Sequence, residues 1–117
     1  MKTVTKLGLG TLALAMAAVP GAASLAVAPE QAADALTAEK VTKGRQLFTD
    51  NGCSACHTLA DAKAAGTIGP SFDGNAALDK AHVVHVVTNG QGAMPSFGWL
   101  GEEDIDLIAG YIVQTKK

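Results

Sequence analysis

Two cysteines and a histidine stand close together in the run Cys53-Ser54-Ala55-Cys56-His57. C-x-x-C-H is the sequence at which c-type haem is attached. Two thiols three positions apart on one helical turn can both reach the vinyl groups of one porphyrin and form thioethers. The next residue, His57, can then coordinate the iron. The sequence therefore predicts one covalently bound haem c, with its iron, and the motif uses both cysteines of the chain.

Three other roles are open to this cysteine pair. A redox dithiol needs a thioredoxin-like βαβ pattern around it, which the sequence does not contain. A structural zinc site needs two more ligands, and the candidates, His82 and His85, follow Cys56 after a glycine-rich gap unlike finger spacing. A disulfide suits an exported protein but gives His57 no role. The pattern favours haem over all three.

The iron also needs a second axial ligand, unless that position is open. Met94 is the one methionine outside the amino-terminal segment. Pro95 favours an extended backbone at Met94, and methionine with histidine is a known axial pair in cytochromes c. Two alternatives stay open: Met94 can be core filler, and His82 or His85 can provide a second histidine ligand.

A metal-binding histidine usually donates its other ring N–H to a carbonyl or carboxylate. Pro70 lies in the glycine-rich loop that follows His57. We expect its carbonyl to accept this hydrogen bond. The alternative is a rigid turn at Pro70 without contact to His57.

Helical patterns surround the motif. Thr37 is a candidate N-cap for a first helix, which Asn51-Gly52 ends just before Cys53. Asp79 can cap a second helix over residues 80–88, and a third helix is predicted over residues 102–115 with an acidic start that matches the helix dipole. Residues 60–77 read as a long loop, a length that usually means function or a ligand to wrap. The sequence predicts an all-α domain.

The amino-terminal segment has a basic start, an apolar middle and small residues at its end. This pattern is typical of a secretory signal peptide over residues 1–28, cleaved after Ala26 or Ala28. Residues 29–36 are then a linker and residues 37–117 the domain, exported to the periplasm or beyond with no membrane span. Retention of the segment as an uncleaved anchor is the alternative.

Charge and length narrow the possible partners. The chain has 117 residues, nine of them basic and eleven acidic, and suits one domain. Removal of the leader takes Lys2 and Lys6 away and makes the protein more acidic. No basic patch interleaved with aromatic residues is present, so nucleic acid is not an expected partner.

Taken together, the chain resembles the small bacterial class I monohaem cytochromes c. The resemblance rests, in chain order, on Gly44, Phe48, the Cys53–His57 motif, Gly69-Pro70, the run from Gly92 to Phe97, and the run from Leu107 to Ile112. It implies a compact bundle of three to five short helices around one covalently attached haem. It also implies axial ligands His57 and Met94, orientation of His57 by Pro70, close approach of Gly44 to Tyr111, and Trp99 near a haem edge or propionate.

This resemblance implies a one-electron carrier, not an enzyme, that moves electrons between redox partner proteins as a monomer. With both axial positions filled, substrate does not reach the iron. Two other functions stay open. One is the haem subunit of a periplasmic dehydrogenase or oxidase complex. The other is a five-coordinate haem enzyme or sensor, which requires that Met94 does not bind.

Overall fold

The computed structural model describes residues 35–117, so the predicted signal peptide and most of the predicted linker lie outside the described residues. Four helices are present in this part: α1 (Ala38–Asp50), α2 (Cys53–Cys56), α3 (Lys80–Asn89) and α4 (Glu102–Thr115). Short 3-10 turns occupy Ala60–Ala62 and Gly98–Leu100. The prediction of a helical domain is confirmed.

One small feature differs from the all-α prediction. Two strands, β1 (Thr58–Leu59) and β2 (Ala64–Ala65), pair antiparallel with Thr58 opposite Ala65 and Leu59 opposite Ala64. Strand β1 lies just before residues 60–77, which the sequence predicts as loop, and β2 lies within them. Strands of two residues are too short to produce an alternating pattern, so the sequence carries no signal for them.

Side-chain caps set the starts of two helices, as the sequence predicts. The hydroxyl of Thr37 accepts a hydrogen bond from the backbone N–H of Lys40 at 3.4 Å, at the start of α1. The carboxylate of Asp79 accepts one from His82 at 2.8 Å, at the start of α3. Each cap satisfies a backbone donor that has no partner within its helix.

Helices α1 and α4 pack closely because a glycine lies where they meet. A Cβ atom at Gly44 would lie 2.5 Å from Cβ of Tyr111, closer than side chains tolerate. The expected approach of Gly44 to Tyr111 is therefore confirmed. The core beside this contact contains the predicted apolar stripe of α4, all of it buried: Ile105, Ile108, Ala109 and Ile112.

The described chain begins against α4. The backbone N–H of Leu36 donates to the side-chain carbonyl of Gln114 at 2.7 Å, and its side chain packs over Gly110. Leu36, which the sequence analysis assigned to the linker, thus packs with the domain. Within residues 35–117, every helix is too short or too polar to cross a membrane.

Candidate haem site

The cysteine motif forms α2, a single helical turn directly after α1. Both Cys53 and Cys56 are half-buried free thiols. Burial raises the pKa of the Cys53 thiol to about 11, so this sulfur is protonated at neutral pH. The backbone N–H of His57 donates to the carbonyl of Cys53 at 3.0 Å, which closes the turn and fixes the histidine next to the cysteines.

A cavity of about 310 Å³ lies beside this turn. Its volume is in the range of about 300–1,000 Å³ common for small-molecule and cofactor sites. Much of its wall is apolar and comes from α3 and the segments on either side of it: Leu78, Val83, Val86, Val87, Ala93, Pro95 and Phe97. All five residues that the sequence analysis selected also line it: Cys53, Cys56, His57, Pro70 and Met94.

His57 is buried, and its ring is held by a backbone carbonyl. Its Nδ1 atom lies 2.8 Å from the carbonyl oxygen of Pro70. A carbonyl only accepts hydrogen bonds, so Nδ1 carries the proton and donates it. In the neutral ring, Nε2 therefore keeps its lone pair and is able to bind a metal.

The loop after His57 folds back onto α2 through its backbone. The N–H of Gly69 donates to the carbonyl of Cys56 at 2.7 Å, and that of Phe72 donates to Thr58 at 3.0 Å. Gly69 lies directly on the imidazole, since a Cβ there would collide with three ring atoms of His57. This part of the predicted long loop thus wraps around the histidine.

Met94 lies in a tight turn after α3. Its backbone N–H and carbonyl each form a 3.0 Å hydrogen bond with Gln91. The turn is tied to α3 because the N–H of Phe97 donates to the carbonyl of Val87 at 2.8 Å. The half-buried side chain of Met94 faces the same cavity as His57.

Comparison with known proteins identifies the family of this chain. The family model described as subunit III of cbb3-type cytochrome c oxidase matches residues 39–112. Cytochrome c6 of Diacronema lutheri is 35% identical over 78 residues, covering 62% of this chain and 93% of that protein. Cytochrome c6 of Picosynechococcus sp. is 44% identical over 82 residues, covering 59% and 68% respectively. The chain belongs to the class I cytochrome c family.

A solved structure extends the likeness to three dimensions. The c-type cytochrome SorU from Sinorhizobium meliloti superposes with a TM-score of 0.61 at 38% identity, covering 68% of this chain and 93% of that one. Membership of the cytochrome c family implies a covalently bound haem c with iron. The apolar cavity, the two free thiols and the free Nε2 of His57 fit that group. The protein is a haem c electron carrier, which exchanges electrons with redox partner proteins.

Three other residues that the sequence suggested for the site have exposed side chains, and only one of them lines the cavity. His82 is exposed yet lines the cavity of this cytochrome c, whereas His85 is exposed and does not. Trp99 is 73% exposed beside Phe97 and does not line the cavity itself, and its place near a haem edge or propionate stays a prediction. No group of three or more His, Cys, Asp or Glu side chains within residues 35–117 could hold a metal ion. The zinc interpretation therefore has no support there.

A polar network away from the cavity was missed by the sequence analysis. Arg45 of α1 binds both carboxylate oxygens of Asp61 at 2.9 and 3.1 Å, and the Tyr111 hydroxyl donates to Asp61 at 2.6 Å. The hydrogen bond from Arg45 lowers the pKa of Asp61. Burial, helped by the bond to Asp61, raises the pKa of Tyr111 to about 12. Sequence offers no signal for this network because its members are far apart in the chain: Asp61 and Tyr111 alone are separated by 50 positions.

Proposed function

We propose that this cytochrome carries one electron at a time on a haem c with histidine and methionine axial ligands. Cys53 and Cys56 form the two thioethers, Nε2 of His57 and the sulfur of Met94 bind the iron, and the Pro70 carbonyl orients His57. The observation that carries the proposal is that these five residues, from three separate segments, line one cavity.

The bound haem supplies an iron that alternates between ferrous and ferric states. The chain sets the conditions for this exchange. Its mostly apolar walls give the haem surroundings of low polarity, and the Pro70 carbonyl oxygen, 2.8 Å from Nδ1 of His57, keeps the proton on that nitrogen. A thioether ligand favours ferrous iron and raises the reduction potential. With Met94 and His57 both holding the iron, substrate would be kept from it, and the protein would act as a carrier rather than an enzyme.

The site of action follows from the amino-terminal pattern. Residues 1–28 have the basic, apolar and small-residue order of a cleaved signal peptide. The mature protein then works in the periplasm or outside the cell, as a monomer that moves between its redox partners. Expression of the full gene, followed by mass spectrometry of the exported protein, tests both the cleavage site after Ala26 or Ala28 and the added haem mass.

A second candidate is a haem subunit of a larger redox complex. It is favoured by one observation: the matching family model is described as a subunit of an oxidase. Against it, the match to cytochrome c6 of Diacronema lutheri covers 93% of that protein, so the domain of this chain corresponds to nearly the whole of that protein. Untagged protein purified from its native host distinguishes the two, because a subunit elutes with its complex and a free carrier elutes alone.

Replacement of Met94 tests the ligand set. In the oxidised protein, a methionine sulfur bound to ferric haem gives a far-red absorption band, and the closed site does not bind carbon monoxide when reduced. We expect Met94→Ala to lose the band and to bind carbon monoxide. His82→Ala is the matched control, because His82 lines the same cavity, and it should keep both wild-type properties. A wild-type protein without the band, in which His82→Ala but not Met94→Ala binds carbon monoxide, would assign the second ligand to His82.

A further inference from the structure

We propose that Phe72 is a positioning residue for His57. Its ring lies flat on the imidazole and fixes the rotation of that ring about its Cβ–Cγ bond, and hence the plane of the ring that offers Nε2. The proposal rests on the proposed role of His57 as an iron ligand and goes further, because it concerns how that ligand is oriented.

The contact between the two rings is close and nearly parallel. Their centroids are 4.5 Å apart and their planes differ by 17°. His57 is 6% exposed and Phe72 8% exposed, so both rings are buried, and both line the cavity. Rotation of the imidazole about Cβ–Cγ would drive its edge into the face of Phe72. The stack therefore restricts the angle that the ring can take.

The hydrogen bond to Pro70 does not impose this restriction by itself. Hydrogen bonds to a carbonyl oxygen accept a broad range of angles, so the imidazole could rock about the line from Nδ1 to the Pro70 oxygen. Phe72 limits that rocking, and Gly69 leaves the ring room to lie where it does, since any Cβ there would collide with it. The hydrogen bond thus selects the proton position, and the stack selects the plane.

Phe72 can hold His57 because Phe72 is itself held. Its backbone N–H donates to the carbonyl of Thr58 at 3.0 Å. Its ring meets Phe48 of α1 edge to face, with centroids 6.1 Å apart, and Phe48 meets Tyr111 of α4 in the same way at 6.0 Å. The aromatic series Tyr111–Phe48–Phe72–His57 therefore connects the packed pair of helices α1 and α4 to the imidazole.

Loss of the stack should be visible in the oxidised protein. In low-spin ferric haem with histidine and methionine ligands, the imidazole plane and the direction of the sulfur lone pair together determine which iron d orbital holds the unpaired electron. That choice sets the spread of the haem methyl signals in the proton NMR spectrum and the g-values in electron paramagnetic resonance. Leucine at position 72 preserves an apolar core residue but removes the flat face.

The test compares two Phe→Leu variants of the full haem-loaded protein. We expect Phe72→Leu to shift the haem methyl signals and the g-values. Phe48→Leu is the matched control, because Phe48 is fully buried in the same core and packs on Phe72, not on His57. It should destabilise the protein in thermal unfolding yet leave the spectra close to wild type. Unchanged spectra in Phe72→Leu, or equal shifts in both variants, would overturn the proposal.

Two further measurements keep the test decisive if Phe72→Leu does not fold. Phe72→Tyr retains the flat ring and should give the wild-type signals, whereas a shifted pattern contradicts the proposal. In the reduced wild-type protein, nuclear Overhauser effects between the Phe72 and His57 rings are expected, and their absence also contradicts it. A wild-type protein without a histidine–methionine haem spectrum would instead refute the proposed function.

Discussion

Tyr111 is a buried, hydrogen-bonded residue in the contact between helices α1 and α4. Its side chain is fully buried in α4, its hydroxyl donates to Asp61 at 2.6 Å, and its ring packs on Phe48. A buried tyrosine with a carboxylate partner resists loss of its proton, because the tyrosinate would be poorly solvated and repelled by that partner. This explains why its pKa rises to about 12.

A pH dependence of stability follows for Tyr111. Because its folded pKa of about 12 exceeds the ordinary value of 10.0, its contribution to stability is complete below pH 10 and is lost as the pH rises through 12. We expect Tyr111→Phe to remove this alkaline loss. The variant also loses a hydrogen bond to a charged acceptor and should be less stable at neutral pH by about 1.5–3 kcal/mol.

Urea unfolding of wild type and Tyr111→Phe across pH 7 to 12 checks this expectation. The difference between the two free energies should be constant up to about pH 10 and then shrink as the wild type loses stability. Other groups that titrate in this range are shared by both proteins and cancel. A free-energy difference between the two proteins that stayed constant from pH 7 to 12 would contradict the raised pKa of Tyr111.

At the scale of the helix, two glycines in regular helices have opposite surroundings. Gly44 in α1 faces the Cβ of Tyr111 so closely that no side chain fits. Gly110 in α4 faces Leu36, and a Cβ there would meet it at 3.4 Å, an ordinary contact distance. Packing requires glycine at position 44. At position 110 glycine loses more backbone entropy on folding than alanine would, and no close contact requires it.

Alanine at each position should therefore have effects of opposite sign. Gly44→Ala is expected to destabilise the protein by about 1–3 kcal/mol, because the helices must move apart or distort. Gly110→Ala is expected to stabilise it by about 0.5–1 kcal/mol, because alanine favours the helix. Thermal or urea unfolding of both variants measures these changes in the free energy of unfolding. Equal effects of the two substitutions would show that the α1–α4 contact is looser than described.

At the scale of the whole molecule, the cavity makes the haem part of the core. Residues of α2, α3 and two loops share this apolar space of about 310 Å³. A domain this small buries a limited core and often depends on a bound group. A group that binds only the folded state stabilises that state, so the haem should contribute strongly to folding.

Removal of both attachment sites tests this contribution. We expect Cys53→Ala/Cys56→Ala to lack covalent haem and to unfold at a lower temperature with a broader transition. Ser54→Ala, within the same motif but without a thiol change, should keep its haem and its sharp transition. Circular dichroism in the far-ultraviolet and near-ultraviolet regions measures the thermal unfolding of both variants. If the two variants were equally stable although the first lacks haem, the polypeptide core alone would account for the stability of the fold.

Much of the local structure was predictable because its signals lie within a few residues of each other. Thr37 and Asp79 cap the helices that follow them, and the apolar stripe of α4 is buried as its spacing indicates. The two-residue strands and the exposure of Trp99 have no such local signal. Both depend on where the chain turns in space, which no short pattern records.

The sequence by itself determined the haem-attachment motif, the helical class of the domain and the short list of candidate ligands. Each of these depends on residue type and on spacing within one or two helical turns. Only the tertiary structure decided that Pro70 and Met94 share a cavity with His57, that Phe72 lies on its ring, and that Arg45, Asp61 and Tyr111 form a network. These contacts join distant segments, so they are set by the packing of α1 on α4 and by the path of the loops between them.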